Sequence, residues 1–210
     1  MSLVTTLDKD KLSELYGVYL GLIKPLLSEI EANYEQFPEP LFNEIRAFND
    51  HISRCYIPNI SQSEIDVQIE KAERHIHRMV LDCYKYLNVY YKIQIEEFEK
   101  QTRNIDLTSI DSGSFYIEYQ KLKNNSIKAV REAKHKEYSS DGTIDFSCFE
   151  HSYNEYVALY DFICDNMEKV RWARAKYYTS KTWTLIVGVV CFVVGSAIKG
   201  FIPVLIEWLK

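Results

Sequence analysis

Five residues near the end of the chain fall on one face at helical spacing: Thr184, Gly188, Cys191, Gly195 and Lys199, with Ser196 beside them. Small residues on one side of a helix let a second helix approach closely, because lipid offers no hydrophobic drive for association. Ser196 and Gly200 add another pair of small residues with the same purpose. Lys199 is the member of this face that carries charge. A lysine near hydrocarbon costs about 3 kcal/mol on insertion scales, so it either reaches to the interface or lines water. Lysines from several copies around a water-filled passage favour anions. The chemistry on offer is ion passage, with further copies of this chain as partners.

Reactive side chains elsewhere do not assemble into a catalytic set. Glu132-Ala-Lys-His135 is a single Glu-x-x-His, whereas a carboxylate-bridged di-iron bundle needs two such motifs and two further Glu. Glu73 and His77 share a helical face while His75 does not, and a metal would need more ligands than these. Cys55, Cys83, Cys148, Cys164 and Cys191 include no CxxC pair, which is a reduced, cytosolic usage without a zinc site or a disulfide framework. The phosphate-loop, nucleophile-elbow and dinucleotide fingerprints are all missing. No cofactor and no metal are expected, and the chain does not read as an enzyme.

One further pair has a family pattern. Arg46-Ala-Phe-Asn-Asp-His51 matches the R-x4-H motif and so resembles the HEPN ribonucleases, which are all-helical. That resemblance implies that Arg46 and His51 of two subunits meet at a dimer interface and cleave RNA without metal. The formal net charge of −5 argues against it, since nucleic-acid affinity rests on a basic surface. A surface arginine and a helical histidine need no catalytic explanation.

The elements that would position the small-residue face are legible from hydropathy. Thr182 to Ile198 contains neither charge nor proline, and covers roughly 25 Å as a helix against a bilayer core of about 30 Å. Continuation through Lys199 to Phe201 or beyond would span it fully. Lys169, Arg171, Arg174, Lys176 and Lys181 precede the segment, so the positive-inside rule keeps the preceding body in the cytoplasm. Trp172, Tyr177, Tyr178 and Trp183 on the near side, and Trp208 on the far side, fit interfacial aromatic belts. No leader is expected, since MSLVTTLDKDK has no apolar core. The mean hydropathy of the whole chain is −0.25, as expected for one span attached to a polar body.

That body, expected over residues 1–180 and followed by a membrane segment over 181–210, reads as helices throughout. Seven Gly and five Pro in 210 residues leave room for long regular elements. A first helix is expected from Asp8 to Asn33 with a kink at Pro25, and a second opens at Pro40 with Leu41, Ile45, Phe48 and Ile52 as its stripe. Ser61-Gln62-Ser63-Glu64 is a capping box that opens a helix of some 40 residues. Its stripe Ile65, Ile69, Ala72, Ile76, Met79, Cys83, Leu87 or Tyr86, and Tyr90 has coiled-coil spacing. Thr102 to Ser114 reads as a polar hinge, and Ser114 to Tyr138 as a helix with Phe115, Tyr119, Leu122, Ile127 and Val130 inward. The turn Ser139 to Gly142 precedes a second capping box, Ser147 to Glu150. With no Gly or Pro between Thr143 and Gly188, a helix from there is expected to run unbroken into the membrane. The fold class is all-α: an elongated bundle with coiled-coil-like helices and a single C-terminal transmembrane helix.

An all-helical cytosolic body joined to one terminal span, with the face Thr184, Gly188, Gly195 and Lys199, resembles membrane effectors of bacterial antiphage systems, the effector subunit of Hailong-type systems above all. It is similar in outline to HEPN-like membrane accessory proteins of type VI CRISPR systems. The resemblance implies an oligomer in the bacterial inner membrane, a pore built from the spans, and a nucleotide or oligonucleotide signal on the cytosolic domain. The alternatives are a tail-anchored helical adaptor and a membrane-tethered HEPN-like ribonuclease using Arg46 and His51. A tail-anchored apoptosis regulator shares the outline, but its Asn-Trp-Gly-Arg signature is missing.

Overall fold

A computed structural model describes the backbone of residues 9–139 and 146–208, and the side chains of 10–137 and 146–195. Every element among the described residues is helical, so the fold is all-α, and α7 (Met167–Trp208) is its long apolar C-terminal helix.

The first expected helix consists of α1 (Lys9–Val18), a π-helical turn (Tyr19–Ile23) and α2 (Lys24–Asn33). Pro25 accounts for the turn. It has no N–H for the carbonyl four residues back, and its ring crowds that carbonyl. The backbone widens, so that the Lys24 N–H donates to the Tyr19 carbonyl five residues back. The expected kink thus takes the form of a π-bulge.

Helix α3 (Glu39–Arg54) starts with Pro40 in its first turn, where the missing N–H would have had no partner, and buries Leu41, Phe48 and Ile52. Helix α4 (Gln62–Thr102) opens on the capping box. The Ser61 N–H donates to Glu64 Oε2 at 3.0 Å and the Glu64 N–H to Ser61 Oγ at 3.3 Å. Helix α5 (Ser114–Ser139) follows, then α6 (Ser147–Asp165) and α7. The expected turn at Ser139 to Gly142 falls mostly outside the described residues. The carbonyl of Phe146 accepts the first α6 amides, which places Ser147 inside the helix and not at its cap.

Two compact units are present, one drawn from Met1–Glu97 and Lys121–Asp161, the other from Phe98–Gln120 and Phe162–Lys210. In the first unit α4 is the central helix. Its expected stripe is buried from Ile65 to Leu87, but Val80, Leu81 and Tyr84 are buried as well. A seam with coiled-coil spacing would leave those neighbours wet. Here helices of the same unit cover them: Tyr34 donates to the Tyr86 carbonyl, His75 meets Glu44, and Tyr84 leans on Tyr153. Glu29 of α2 accepts from both Tyr91 of α4 and Tyr153 of α6, each at 2.6 Å, and ties three helices with one carboxylate. Burial and this hydrogen bond drive the Tyr91 and Tyr153 hydroxyls upward from 10.0.

Helix α5 buries Phe115 and Tyr119 of its expected inward face but departs from the rest of it. Ser126, Ala129 and Ala133 are buried, while Leu122, Ile127 and Val130 remain half-exposed. Small side chains at those positions allow close helix approach, so α5 is seated by its narrow face.

The second unit is built around Phe98, Phe115, Tyr119 and Phe162, with Phe115 and Phe162 stacked at 5.3 Å. The expected polar hinge contains a short 3-10 helix (Leu107–Gly113) capped by Asp106, whose side chain accepts from the Thr108 N–H. Ile110 is buried within it. Asp111, Ser112 and Gly113 then take positive φ values of 48°, 55° and 93°, which reverse the chain into α5. The root of α7 closes over this turn through buried Val170 and Ala173 and a Lys169–Asp111 ion pair.

The uninterrupted helix expected from Ser147 into the membrane segment is broken at Asn166. Its N–H turns to the carbonyl of Ile163, three residues back, and its Nδ2 donates to the Phe162 carbonyl at 2.9 Å. An asparagine that competes for local backbone acceptors ends a helix without help from glycine or proline.

Candidate functional site

Helix α7 is 42 residues long, and Lys181, where the membrane segment was expected to begin, lies inside it. From Trp183 to Trp208 it rises about 37 Å, enough for a hydrocarbon core of about 30 Å. It runs through Lys199 and Pro203 without interruption, which settles the length question left by the uncharged core. One helix, therefore, is long and apolar enough to cross a membrane, within Met167–Gly195 among the described residues.

Exposure is what distinguishes it. Each large apolar side chain from Trp183 to Val194 is at least 44% exposed, on every side of the helix. Water-facing helices keep a polar stripe, and core helices are covered. This segment does neither.

The expected small-residue face is carried on this surface. A Cβ added at Gly188 or Gly195 would meet nothing within 4 Å beyond its own stretch of helix, so both positions are open to an approaching helix. Cys191 is an exposed free thiol. The hydroxyl of Thr184 donates to the Ser180 carbonyl at 3.0 Å, as Thr182 does to Tyr178 and Thr179 to Ala175. Such back-bonding supplies each hydroxyl proton with an acceptor inside its own helix, the arrangement that low dielectric demands. Thr184 thus offers only oxygen lone pairs outward. The side chains of Ser196 and Lys199 lie outside the described residues.

Below this segment aromatic rings and cations alternate. Lys176 Nζ sits 5.1 Å over the Trp172 ring and Lys181 Nζ 5.8 Å over Tyr177, with Trp172, Tyr178 and Trp183 exposed. Amphipathic rings next to ammonium groups form the chemistry of a lipid headgroup zone.

The other candidate constellations weighed from the sequence lie apart within this chain. Arg46 is exposed on α3, and the five-residue step to His51 rotates it about 140° away. His51 is half-buried, 2.7 Å from Gln68 Oε1 and stacked on His75 at 5.2 Å. His75 in turn faces Glu44. Glu73 pairs with Lys11, and His77 lies against Phe146. No cluster of three or more metal-ligating side chains occurs among the described residues. Cys83 is buried, and burial pushes its thiol up to about 12, which makes it inert.

Sequence reasoning missed a cleft of about 500 Å³ in the first unit, where α4, α5 and α6 meet. Lys85 and Lys92 of α4 and Arg131 and Lys134 of α5 line it, with Glu137 as its one carboxylate. Its apolar wall comes from Val89, Ile127, Val130, Phe149 and Tyr156. Lys85 holds Glu137 and also sits 5.7 Å over the Phe149 ring. The spacing Lys85, Asn88, Val89, Lys92 does mark a single helix face. No pattern in the chain says which face of α5 lies opposite.

No family model matches this chain, and neither a curated protein nor a solved structure matches it.

Proposed function

We propose that this chain is an oligomeric membrane effector. Copies of α7 associate through the face Thr184, Gly188, Cys191 and Gly195 and enclose a passage, with Lys199 contributing its charge. The helices that precede it lie on the cytoplasmic side of a bacterial inner membrane and govern opening. Membrane depolarisation in antiphage defence is the setting we infer, and the chain has no catalytic step of its own. The observation that carries this reading is the all-round exposure of α7 between Trp183 and Val194, together with the open positions at Gly188 and Gly195. Hydrocarbon is the solvent that such a surface fits, and small residues are where helices in hydrocarbon meet.

The test is conductance of the purified full-length protein in planar bilayers, beside toxicity in cells. Gly195→Leu blocks close approach, and Lys199→Glu inverts the local charge. We expect the first to abolish conductance and the second to shift selectivity from anions toward cations. Parent-like currents from both variants would remove the pore reading. Replacement of 182–201 with an unrelated leucine-rich span supplies the complementary measurement: retained function would make α7 an anchor and the protein a membrane adaptor.

A further inference from the structure

Five cations precede the apolar stretch of α7, and the fold uses them unequally. Lys169 pairs with Asp111, Arg171 pairs with Glu168 at 2.6 Å, and the Arg174 guanidinium donates to the Gln101 carbonyl at 3.3 Å. Lys176 and Lys181, the two nearest the span, are exposed and have no ion-pair partner among the described residues. The sequence offers them none nearby, since no Asp or Glu occurs between Glu168 and Glu207. Their ammonium groups lie over the Trp172 and Tyr177 rings instead, at 5.1 and 5.8 Å. A ring face attracts a cation without neutralising it, and the outward N–H donors stay available. The missing anion has to come from outside the chain.

Their heights along α7 fit a headgroup layer. Five residues separate the two lysines by about 7.5 Å, against about 5–8 Å of polar region on each side of a bilayer core. Lys181 immediately precedes the uncharged segment that begins at Thr182, so its stem runs beside hydrocarbon while its ammonium stays in the polar layer. The same five residues turn the helix by about 140°, so the two ammonium groups reach separate molecules. Trp172 and Trp183, 58% and 62% exposed, bracket the pair below and above with amphipathic rings.

We infer that Lys176 and Lys181 bind the headgroups of anionic phospholipids, so that α7 takes such lipids as neighbours in preference to zwitterionic ones. A lipid phosphate accepts charge-assisted hydrogen bonds from each ammonium. In a zwitterionic headgroup the lipid's own cation competes for that phosphate and repels the lysine. Free phosphate has no acyl chain to lie against Trp183 and the apolar stretch beyond it, so the occupant is a lipid. The inference rests on the reading of α7 as a span and adds the chemical class of lipid around it. Lys169, Arg171 and Arg174 take no part, because groups of the protein already engage them.

Full-length protein is reconstituted into phosphatidylcholine vesicles that carry a minor fraction of spin-labelled lipid, either phosphatidylcholine or phosphatidylglycerol, with the label near the headgroup. Quenching of tryptophan fluorescence reports which lipid sits beside α7. We expect labelled phosphatidylglycerol to associate at least about fivefold more strongly than labelled phosphatidylcholine, and the preference to shrink as salt is raised. Lys176→Gln with Lys181→Gln, both exposed positions, should bring the ratio to within about twofold of parity with the melting temperature unchanged. Arg171→Gln removes the same charge from the same helix and should leave the ratio within about twofold of the parent. Equal quenching by the two lipids keeps α7 in the bilayer and overturns this inference alone. Quenching by neither removes the membrane reading and this inference with it. A preference that survives the double lysine variant, or that Arg171→Gln erases as fully, is a bulk charge effect and also overturns it. If the preference is found and the bilayer shows no current under any condition, the lipid site stands and the pore reading falls.

Discussion

Helices α4 and α7 are almost the same length, 41 and 42 residues, and have opposite fates. Along α4 apolar and polar positions alternate at helical spacing, and tertiary neighbours bury most of the apolar ones from Ile65 to Phe98, leaving Val67, Val89 and Ile93 exposed. Along α7 the root is anchored by Val170 and Ala173, and from Trp183 to Val194 apolar residues occupy every face and remain exposed. Length alone therefore says little about a helix. The distribution of polarity around it says which solvent it was built for, protein or hydrocarbon.

That contrast can be broken most forcefully in α4. Leu87→Ala removes a fully buried side chain, and we expect a loss of about 2–5 kcal/mol in stability by chemical denaturation. Membrane partition should stay the same. The reciprocal change is Val190→Arg, placed in the middle of the apolar stretch, with an insertion penalty of about 3 kcal/mol. It should move protein out of the alkali-resistant membrane fraction and leave the melting temperature of the helical body alone. If Val190→Arg unfolds the body instead, α7 is a core helix.

A smaller effect concerns pH. Burial pushes both the Cys83 thiol and the Tyr84 hydroxyl up to about 12, from 9.0 and 10.0. The unfolded chain loses these protons first, so the protonated fold is favoured below pH 9 and loses stability as pH rises toward 12. Denaturation midpoints should fall across that window, and less steeply in Cys83→Ala. A flat profile would mean that these groups are wet. The smallest effect is at the α4 cap: Ser61→Ala should cost about 1 kcal/mol and shift the melting curve slightly, without any change in membrane association.

The capping box at Ser61, the start at Pro40 and the long apolar run after Thr182 were all legible because each is a local signal. A cap, a missing N–H and a stretch without charge carry their meaning within a few residues. Other expectations failed because a local signal went unread or misled, as the second capping box at Ser147 did, or because meaning depends on a second element. Asn166 breaks a helix through its own side chain, a signal that a search for Gly and Pro passes over. Ile110 looked like part of a polar linker, but its burial depends on a fold-back made by three consecutive left-handed residues. The spacing of Arg46 and His51 gave a motif that the sequence already weighed as a surface arginine and a helical histidine, and in the fold Arg46 is exposed while His51 meets Gln68 and His75.

By itself, the order of residues determined that this chain is helical, where most helices begin, and that one segment is too apolar for water. Those properties follow from backbone sterics, capping and hydration, which act over one or two turns. Tertiary structure alone decided that α5 packs by Ser126, Ala129 and Ala133, and that this turns Ile127, Val130 and Arg131 toward Lys85 and Asn88. Helix faces carry no record of their partners. Pairing is chosen by which surfaces fit closely enough to exclude water, and that choice made the cleft.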